Sequence, residues 1–266
     1  MKEISSTSNP LIKYVLRLQE KSRERRKTHR FIVEGLREIQ LAINAGYNLE
    51  TLLFCSDLIS EEVVAKMISQ TRKEIELISL AKAVYEKIAY RSSTEGILAV
   101  AETKQHTLGN LKLSENPLLL IAEAPEKPGN IGALLRTADA AGVDAFIIAN
   151  PLTDLYNPNL IRSSVGGVFT QQIATGSSEE VIQFLKKKQV KVYAAILQEA
   201  QSYSLQDYTL PTAIVVGTEA LGLTEDWRAA STQNIIIPML GSIDSMNVSV
   251  AAGILIFEAR RQRGFK

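Results

Sequence analysis

The chain has 266 residues, of which 45% are hydrophobic and 22% charged, with 30 Lys and Arg against 29 Asp and Glu. These values fit one large domain or two and exclude a disordered, collagen-like or coiled-coil chain. A single cysteine, Cys55, excludes an internal disulfide or a Cys-rich zinc site, and two histidines, His29 and His106, argue against a multi-histidine metal site. Neither a transmembrane run nor a signal-peptide core is present, so the sequence predicts a soluble cytoplasmic protein without a metal.

The net charge of the whole chain is close to zero, but its first segment is strongly basic. Residues 1–30 contain nine Lys and Arg but only three Glu. Apolar residues between 11 and 18 precede the densest part of this run. The pattern indicates an amphipathic helix whose C-terminal end is strongly basic. Such a run is typical either of a surface that binds a polyanion or of a solvated helix face, and the charge pattern alone leaves both open.

The first half of the chain alternates helical and strand-like patterns. Helices are predicted over 9–27, 34–46 and 60–71, and strands over 51–56 and 96–102. The pattern then becomes polar and loop-like, and we take residues 105–116 as a linker between a first domain, 1–104, and a second, 117–266.

The second half has a more regular alternation of short apolar strands with helices. Strands are predicted over 117–124, 144–150, 190–196, 212–217 and 234–238, and helices over 131–142, 158–165, 178–188 and 247–262. This order predicts an α/β domain with a mostly parallel, buried sheet, preceded by a smaller α/β domain.

Polar residues follow the first of these strands, where loops of open α/β sheets bind ligands. Pro128 and Gly129 predict a sharp turn, and Asn130 is a good N-cap for a helix beginning at Ile131. Arg136 falls two turns into that helix. Without further information the segment is equally a common strand–turn–helix joint with a surface arginine.

Two later strand ends carry similar signals. Gly217 would let a ligand approach the backbone closely, and Glu219 could hold an amine or hydroxyl, cap a helix or form a surface ion pair. Ser245 and Asn247 precede an Ala-rich helix, where one of them is expected to act as its N-cap. Together with the apolar Met246 they could also line a ligand pocket.

Taken together, the segments PGNIGALLRTADAAGVDAFII, VVGTEALGL and IPMLGSIDSMNVSVAAGILIFEA resemble the three motifs of the SpoU (TrmH) branch of the SPOUT methyltransferases. The segments SNPLIKYVLRL, RFIVEG and EGILAV are similar to the small RNA-binding domain often fused ahead of that catalytic domain. The resemblance implies an S-adenosylmethionine-dependent RNA methyltransferase acting on a ribose 2′-hydroxyl. It further implies a trefoil-knotted C-terminal domain and a homodimer whose active site uses residues of both subunits.

The same resemblance assigns roles to individual residues. Those implied for catalysis are Asn130, Arg136, Glu219, Ser245 and Asn247. Those implied for the cofactor are Gly217, Ile237, Leu240, Gly241 and Met246, and those implied for RNA are Arg23, Arg25, Arg26, Lys27 and Arg30. Family members usually have Leu in place of Met246, a nearly volume-conserving difference.

The residues agree in part with this chemistry. A ribose hydroxyl is a weak acid, so methyl transfer needs help with its proton and alignment with the methyl group. None of the three motifs contains a histidine, so Arg136 is the candidate for activating the hydroxyl, although a guanidinium, which has donors and no acceptor, is an awkward base.

Three other readings stay open at this stage. The protein could be a non-catalytic RNA-binding protein of the same fold, a methyltransferase acting on a base nitrogen, or an unrelated nucleotide-binding α/β enzyme. The fused front domain favours large-subunit ribosomal RNA over transfer RNA by family analogy alone, and it leaves housekeeping and antibiotic-resistance roles both open.

Overall fold

The computed structural model describes residues 2–69, 71, 74–90, 95–218, 222–242 and 245–265. The chain divides into two compact units. Unit 1 comprises Met1–Gln105 and Asp154–Thr170, and unit 2 comprises His106–Thr153 and Gln171–Lys266.

Unit 1 is a small α/β unit built around a mixed sheet in the strand order β1-β4-β3-β5-β2. Its described elements are β1 (Lys2–Ile4), α1 (Pro10–Glu20), α2 (Ser22–Thr28), β2 (Arg30–Glu34), α3 (Leu36–Asn44), β3 (Leu49–Phe54), α4 (Glu61–Ile68), β4 (Glu76–Leu80), α5 (Lys82–Ile88) and β5 (Ile97–Glu102). Strands β1, β4 and β3 pair in parallel, and β5 pairs antiparallel with both β3 and β2.

The helix predicted over 9–27 is two helices. Lys21 has an extended backbone, with φ −111° and ψ 108°, which separates α1 from α2. Asn9 begins α1 by accepting a hydrogen bond from the Leu11 backbone N–H at 2.9 Å. The apolar spacing ends at Leu18, the last buried residue of α1. The basic stretch after it forms the separate helix α2.

A segment from the second half of the sequence belongs to unit 1. After unit 2 has begun, the chain returns over Asp154–Thr170 and forms helices α7 (Pro158–Ser163) and α8 (Gly167–Thr170). Tyr156 and Phe169 join Phe31 and Tyr47 in an aromatic cluster, with the Tyr156 and Phe31 ring centroids 4.2 Å apart. This grouping differs from the contiguous ranges 1–104 and 117–266, which stay a prediction as functional domains.

Unit 2 is an α/β unit whose strands follow the order β10-β12-β9-β11-β6-β7-β8. Its described elements are β6 (Leu118–Glu123), α6 (Pro128–Ala140), β7 (Ala145–Ala149), β8 (Ile173–Gly176), α9 (Ser178–Lys187), β9 (Lys191–Ala195), β10 (Gln201–Ser202), β11 (Thr212–Val216), α10 (Glu225–Ala230), β12 (Gln233–Ile236) and α11 (Val248–Gln262). Every recorded pairing in this sheet is parallel. The predicted α/β class with a mostly parallel sheet is therefore confirmed.

The parallel sheet brings several strand ends to one edge. Strands β6 and β11 are buried along their whole length, which explains why they read as continuous apolar runs. Their carboxyl ends, with that of β12, lead into the loops in which the sequence motifs lie, and β9 ends at the same edge. The candidate site is built at this edge.

Candidate functional site

A cavity of about 420 Å³ lies at the carboxyl ends of β9, β11 and β12 in unit 2. The residues that line it are mostly apolar: Ala195, Ile196, Leu197, Gln198, Val216, Gly217, Thr218, Gly222, Leu223, Arg228, Ile235, Ile236, Ile237, Met239, Ser245, Met246, Val248, Ala251 and Leu255. An apolar cleft of this size with a few polar groups is typical of a small-molecule site.

The loop that follows β11 is folded tightly against itself. The Thr218 N–H donates to the Gly222 carbonyl at 3.2 Å, and the Gly222 N–H donates to the Thr218 carbonyl at 3.0 Å. A Cβ on Gly217 would lie 2.2 Å from the Gly222 carbonyl carbon, so no larger residue fits there without moving the backbone. The sequence predicted that a ligand approaches the Gly217 backbone closely. In the structure the atoms closest to that position belong to the loop itself, at Gly222 and Leu223.

Replacing Gly217 by alanine is expected to weaken cofactor binding by at least about tenfold, because the new methyl group displaces the loop that forms one wall of the cavity. Calorimetric titration with S-adenosylhomocysteine measures the effect. Gly241→Ala is the matched control, since a Cβ at Gly241 meets nothing within 4 Å. Equal affinities for the two variants would contradict the role of the Gly217 loop.

The third motif reaches the cavity with only some of its predicted residues. Ile237, Ser245 and Met246 line it. Leu240 and Gly241 do not, and Leu240 is 100% exposed. The structure thus does not place these two residues at the cavity, and a Leu or Gly in a loop gives no local signal of its orientation.

Asn130 and Asn247 are brought together across two motifs. The Asn247 side-chain oxygen accepts from the Ser249 backbone N–H at 3.0 Å and so caps α11, as expected for one of the two polar residues. Its amide nitrogen donates to Asn130 Oδ1 at 3.3 Å. Asn130 also lines a smaller cavity of about 80 Å³ with Gly217, Thr218 and Val248.

The local role predicted for Asn130 needs correction. Helix α6 begins at Pro128, with Lys127 at the N-cap position, so Asn130 lies inside the first turn. Proline is favoured at the first helical position because its missing N–H has no partner there in any case. The Asn130 side chain is thereby available to Asn247.

Arg136 lies elsewhere on α6. It is exposed, it does not line either cavity, and its side chain has no hydrogen bond or ion pair to any residue that the structure describes. Six residues of helix place it about 9 Å along the axis from Asn130 and about 120° away around it. Glu219 lies outside the described residues.

Polar cavity residues also occur where the motifs gave no signal. Arg228, on α10, is the one charged residue among the described lining residues, and its guanidinium pairs with Glu225 at 2.9 Å. Gln198 and Leu197 follow β9, a strand that the sequence predicted without any functional motif at its end. Only the packing of β9 between β11 and β12 brings them to the site.

The basic segment in unit 1 is divided between surface and interior. Arg23, Arg26 and Lys27 are exposed. Arg25 is only 2% exposed, and its guanidinium donates to Asp154 at 2.5 Å and to the Leu18 carbonyl at 2.6 Å. Arg25 is therefore not available to a phosphate, and its predicted RNA contact is withdrawn.

Arg30 is also held by the protein itself. It forms ion pairs with Glu50 at 2.5 Å and Glu102 at 3.1 Å. The hydrogen bond to Glu50 is the main cause that raises the pKa of Arg30 above its ordinary value. With two carboxylates beside it, Arg30 offers less net charge to RNA than the sequence suggested.

Within the described residues, no group of His, Cys, Asp and Glu could hold a metal ion. The same residues include no helix that is long and apolar enough to cross a membrane.

Comparison with known proteins gives two family matches. Residues 117–257 match the SpoU rRNA methylase family, and residues 9–99 match the MRM3-like substrate binding domain. These two matches cover the parts of the chain that carry the sequence motifs and the basic segment.

Relatives and solved structures match nearly the whole chain. A 23S rRNA (guanosine(2553)-2′-O)-methyltransferase of Bacillus subtilis is 28% identical, with 98% of this chain and 100% of that protein covered. A crystal structure of an RNA 2′-O ribose methyltransferase is 38% identical, with a TM-score of 0.84 and 98% and 99% coverage. An AdoMet-bound rRNA methyltransferase from Sinorhizobium meliloti is 29% identical, with a TM-score of 0.89 and 98% and 97% coverage.

Proposed function

The chain belongs to the SpoU rRNA methylase family, and we propose that it methylates a ribose 2′-hydroxyl of large-subunit ribosomal RNA with S-adenosylmethionine as the methyl donor. The observation that carries this proposal is the cavity formed by the second and third motif loops together with the residues that follow β9. A Cβ at Gly217 would collide with its wall, and Ile237 and Met246 give it an apolar lining. These features fit the flat, apolar faces of an adenine ring.

The cofactor, when bound, supplies a sulfonium-activated methyl group. The protein has to bind the cofactor, exclude water from the methyl group and align the ribose hydroxyl with the methyl carbon. We propose that Gly217, Ile237 and Met246 bind the cofactor, with Ser245 at the cavity wall. Asn130 and Asn247, hydrogen-bonded to each other beside the second cavity, are placed to orient the ribose.

The exposed position of Arg136 supports a site shared between two subunits. Arg136 is on a different face of α6 from Asn130, so we propose that it completes the partner's site, where its guanidinium orients the hydroxyl and a neighbouring phosphate. The trefoil knot and the role of Glu219 stay predictions of the family resemblance.

The dimer is proposed to form through unit 2. Val250 and Phe257, seven residues apart on one face of α11, are 54% and 39% exposed. A shared apolar face on one helix fits an isologous contact with a second copy.

Charged residues at this face are expected to abolish the dimer. Val250→Glu with Phe257→Glu should give a monomer by light scattering and remove methyl transfer, because burying two carboxylates in the interface is unfavourable. Leu205→Glu, at a residue that is 78% exposed, is the control and should stay dimeric. A dimeric double variant would contradict this interface.

The exposed part of the basic segment is proposed to bind RNA phosphates without reading sequence. Replacing Arg23, Arg26 and Lys27 by Gln should reduce the slope of log affinity against log salt by about 2 to 3, since each lost phosphate contact lowers it by nearly one. Filter binding with ribosomal RNA over a salt series measures this. Gln at Lys186, Lys187 and Lys188, also exposed, removes the same charge as a control; equal slopes for both variants would overturn the proposal.

The overall function is tested with radiolabelled S-adenosylmethionine and total ribosomal or transfer RNA, followed by alkaline hydrolysis. Label in an alkali-resistant dinucleotide from ribosomal RNA is expected, because a 2′-O-methyl group blocks cleavage of the adjacent phosphodiester. Label on transfer RNA would change the substrate class, and label on a free base would contradict ribose methylation. Cofactor binding without transfer to either RNA would point to an assembly intermediate as the substrate.

A further inference from the structure

Glu123 is a buried carboxylate at the last position of β6, in the middle of the parallel sheet of unit 2. It is only 2% exposed. A buried charge of this kind is costly unless hydrogen bonds satisfy it. Oε1 accepts from the Ser178 hydroxyl at 2.6 Å and from the Thr224 hydroxyl at 2.9 Å, and Oε2 accepts from the Thr224 backbone N–H at 2.8 Å.

Thr224 is the point at which the loop after β11 ends. Gly217, Thr218, Gly222 and Leu223, the described residues of that loop, all line the larger cavity, and Thr224 follows them directly. The loop is fixed at one end by β11 and closed on itself by the Thr218–Gly222 pair. Its other end is held to the neighbouring strand β6 by two hydrogen bonds from Thr224 to Glu123.

The other partner of the carboxylate, Ser178 on α9, does not line the cavity. The Ser178 hydroxyl oxygen accepts from Trp227 Nε1 at 3.1 Å and from Asn150 Nδ2 at 2.9 Å, while its hydrogen goes to Glu123. A hydroxyl has one donor and two acceptor positions, and all three are used. Glu123 therefore connects a fully satisfied, rigid network to the end of a loop that forms the cavity wall.

We propose that Glu123 is a positioning residue for the methyl donor, acting through Thr224 to hold Gly222 and Leu223 in the positions in which they line the cavity. This inference rests on the proposed function, which takes the cavity as the S-adenosylmethionine site. Both carboxyl oxygens of Glu123 accept hydrogen bonds here, whereas glutamine would direct an amide donor at Thr224 or Ser178. A loop released from Thr224 would spend only part of its time in the binding conformation, and the apparent dissociation constant would rise by the inverse of that fraction.

The test compares S-adenosylhomocysteine binding with thermal stability in the full-length protein. Glu123→Gln is expected to raise the calorimetric Kd by about tenfold or more, the effect of losing a hydrogen bond to a charged group. The KM for S-adenosylmethionine should rise in parallel, while the KM for RNA stays within about twofold. Thr224→Val keeps the backbone N–H and removes the hydroxyl, so a smaller increase is expected, and Thr224→Ser should restore the wild-type Kd.

Ser178→Ala is the matched control, because it removes a hydrogen bond to the same carboxylate but leaves both hydrogen bonds from Thr224 in place. Its Tm should fall while its Kd stays near that of the wild type. If Glu123→Gln does not fold, the Thr224→Val and Thr224→Ser pair decides the question. The inference is overturned if Glu123→Gln and Thr224→Val both bind like the wild type, or if Ser178→Ala weakens binding as much as they do. A wild-type protein that does not bind S-adenosylhomocysteine would instead overturn the assignment of the cavity.

Discussion

Replacing Arg136 by alanine should reduce methyl transfer by about 10²- to 10⁴-fold, the range for a group that assists proton transfer, without changing cofactor affinity or stability. Arg136 is exposed, lines neither cavity and has no side-chain partner among the described residues, so its loss removes chemistry alone. Transfer of radiolabel to RNA and calorimetric binding of S-adenosylhomocysteine measure the two quantities separately.

Two controls define what the Arg136 result means. Arg261→Ala removes another exposed arginine of unit 2, paired with Glu258, and should leave transfer unchanged. Arg136→Lys keeps the charge but loses the planar, bidentate geometry, so it should restore little activity if the guanidinium orients a hydroxyl and a phosphate together. A fully active Arg136→Ala protein would contradict a catalytic role.

Mixed dimers decide whether Arg136 acts in the partner's site. The Arg136→Ala subunit keeps an intact cofactor cavity, and the Gly217→Ala subunit keeps Arg136. If the site is shared, their mixed dimer has one complete site. At an S-adenosylmethionine concentration too low to fill the Gly217→Ala cavity, a statistical mixture of the two proteins should then recover about a quarter of wild-type activity. If each arginine serves its own subunit, the mixture should stay inactive.

The sequence predicted the parts of this molecule that depend on local pattern. Continuous apolar runs identified β6 and β11, since strands buried on both faces need apolar residues at every position. The glycine at 217 and the polar pair 245 and 247 marked the loops at their ends. Ile237 follows β12 directly and Ser245 and Met246 lie just before α11, and all three line the cavity.

The features that depend on distant partners could not be predicted. Arg25 is indistinguishable from Arg23 and Arg26 in the sequence, and its burial depends on Asp154, 129 residues away. Asp154 belongs to the 154–170 segment. The apolar periodicity of the sequence does not show that this segment packs within unit 1. Leu197 and Gln198 reach the cavity only through the packing of β9 between β11 and β12.

Replacing Arg25 by alanine is expected to destabilise the protein by about 3 to 5 kcal/mol, the usual cost of leaving one partner of a buried ion pair without the other. The side chains of Arg25 and Asp154 are only 3% and 15% exposed, so little water can replace the missing partner. The same guanidinium also satisfies the Leu18 and Gln19 carbonyls at the end of α1. Urea unfolding followed by circular dichroism measures the change.

The neighbouring Arg26→Ala variant should behave in the opposite way. Arg26 is exposed, so its loss should leave the free energy of unfolding within about 0.5 kcal/mol of the wild type and weaken RNA binding instead. Replacing both members of the buried pair, Arg25→Met with Asp154→Leu, should recover much of the stability lost in Arg25→Ala, because no unpaired charge then stays buried. If Arg25→Ala is as stable as Arg26→Ala and binds RNA as weakly, Arg25 belongs with the RNA contacts and its assignment to the fold of unit 1 is wrong.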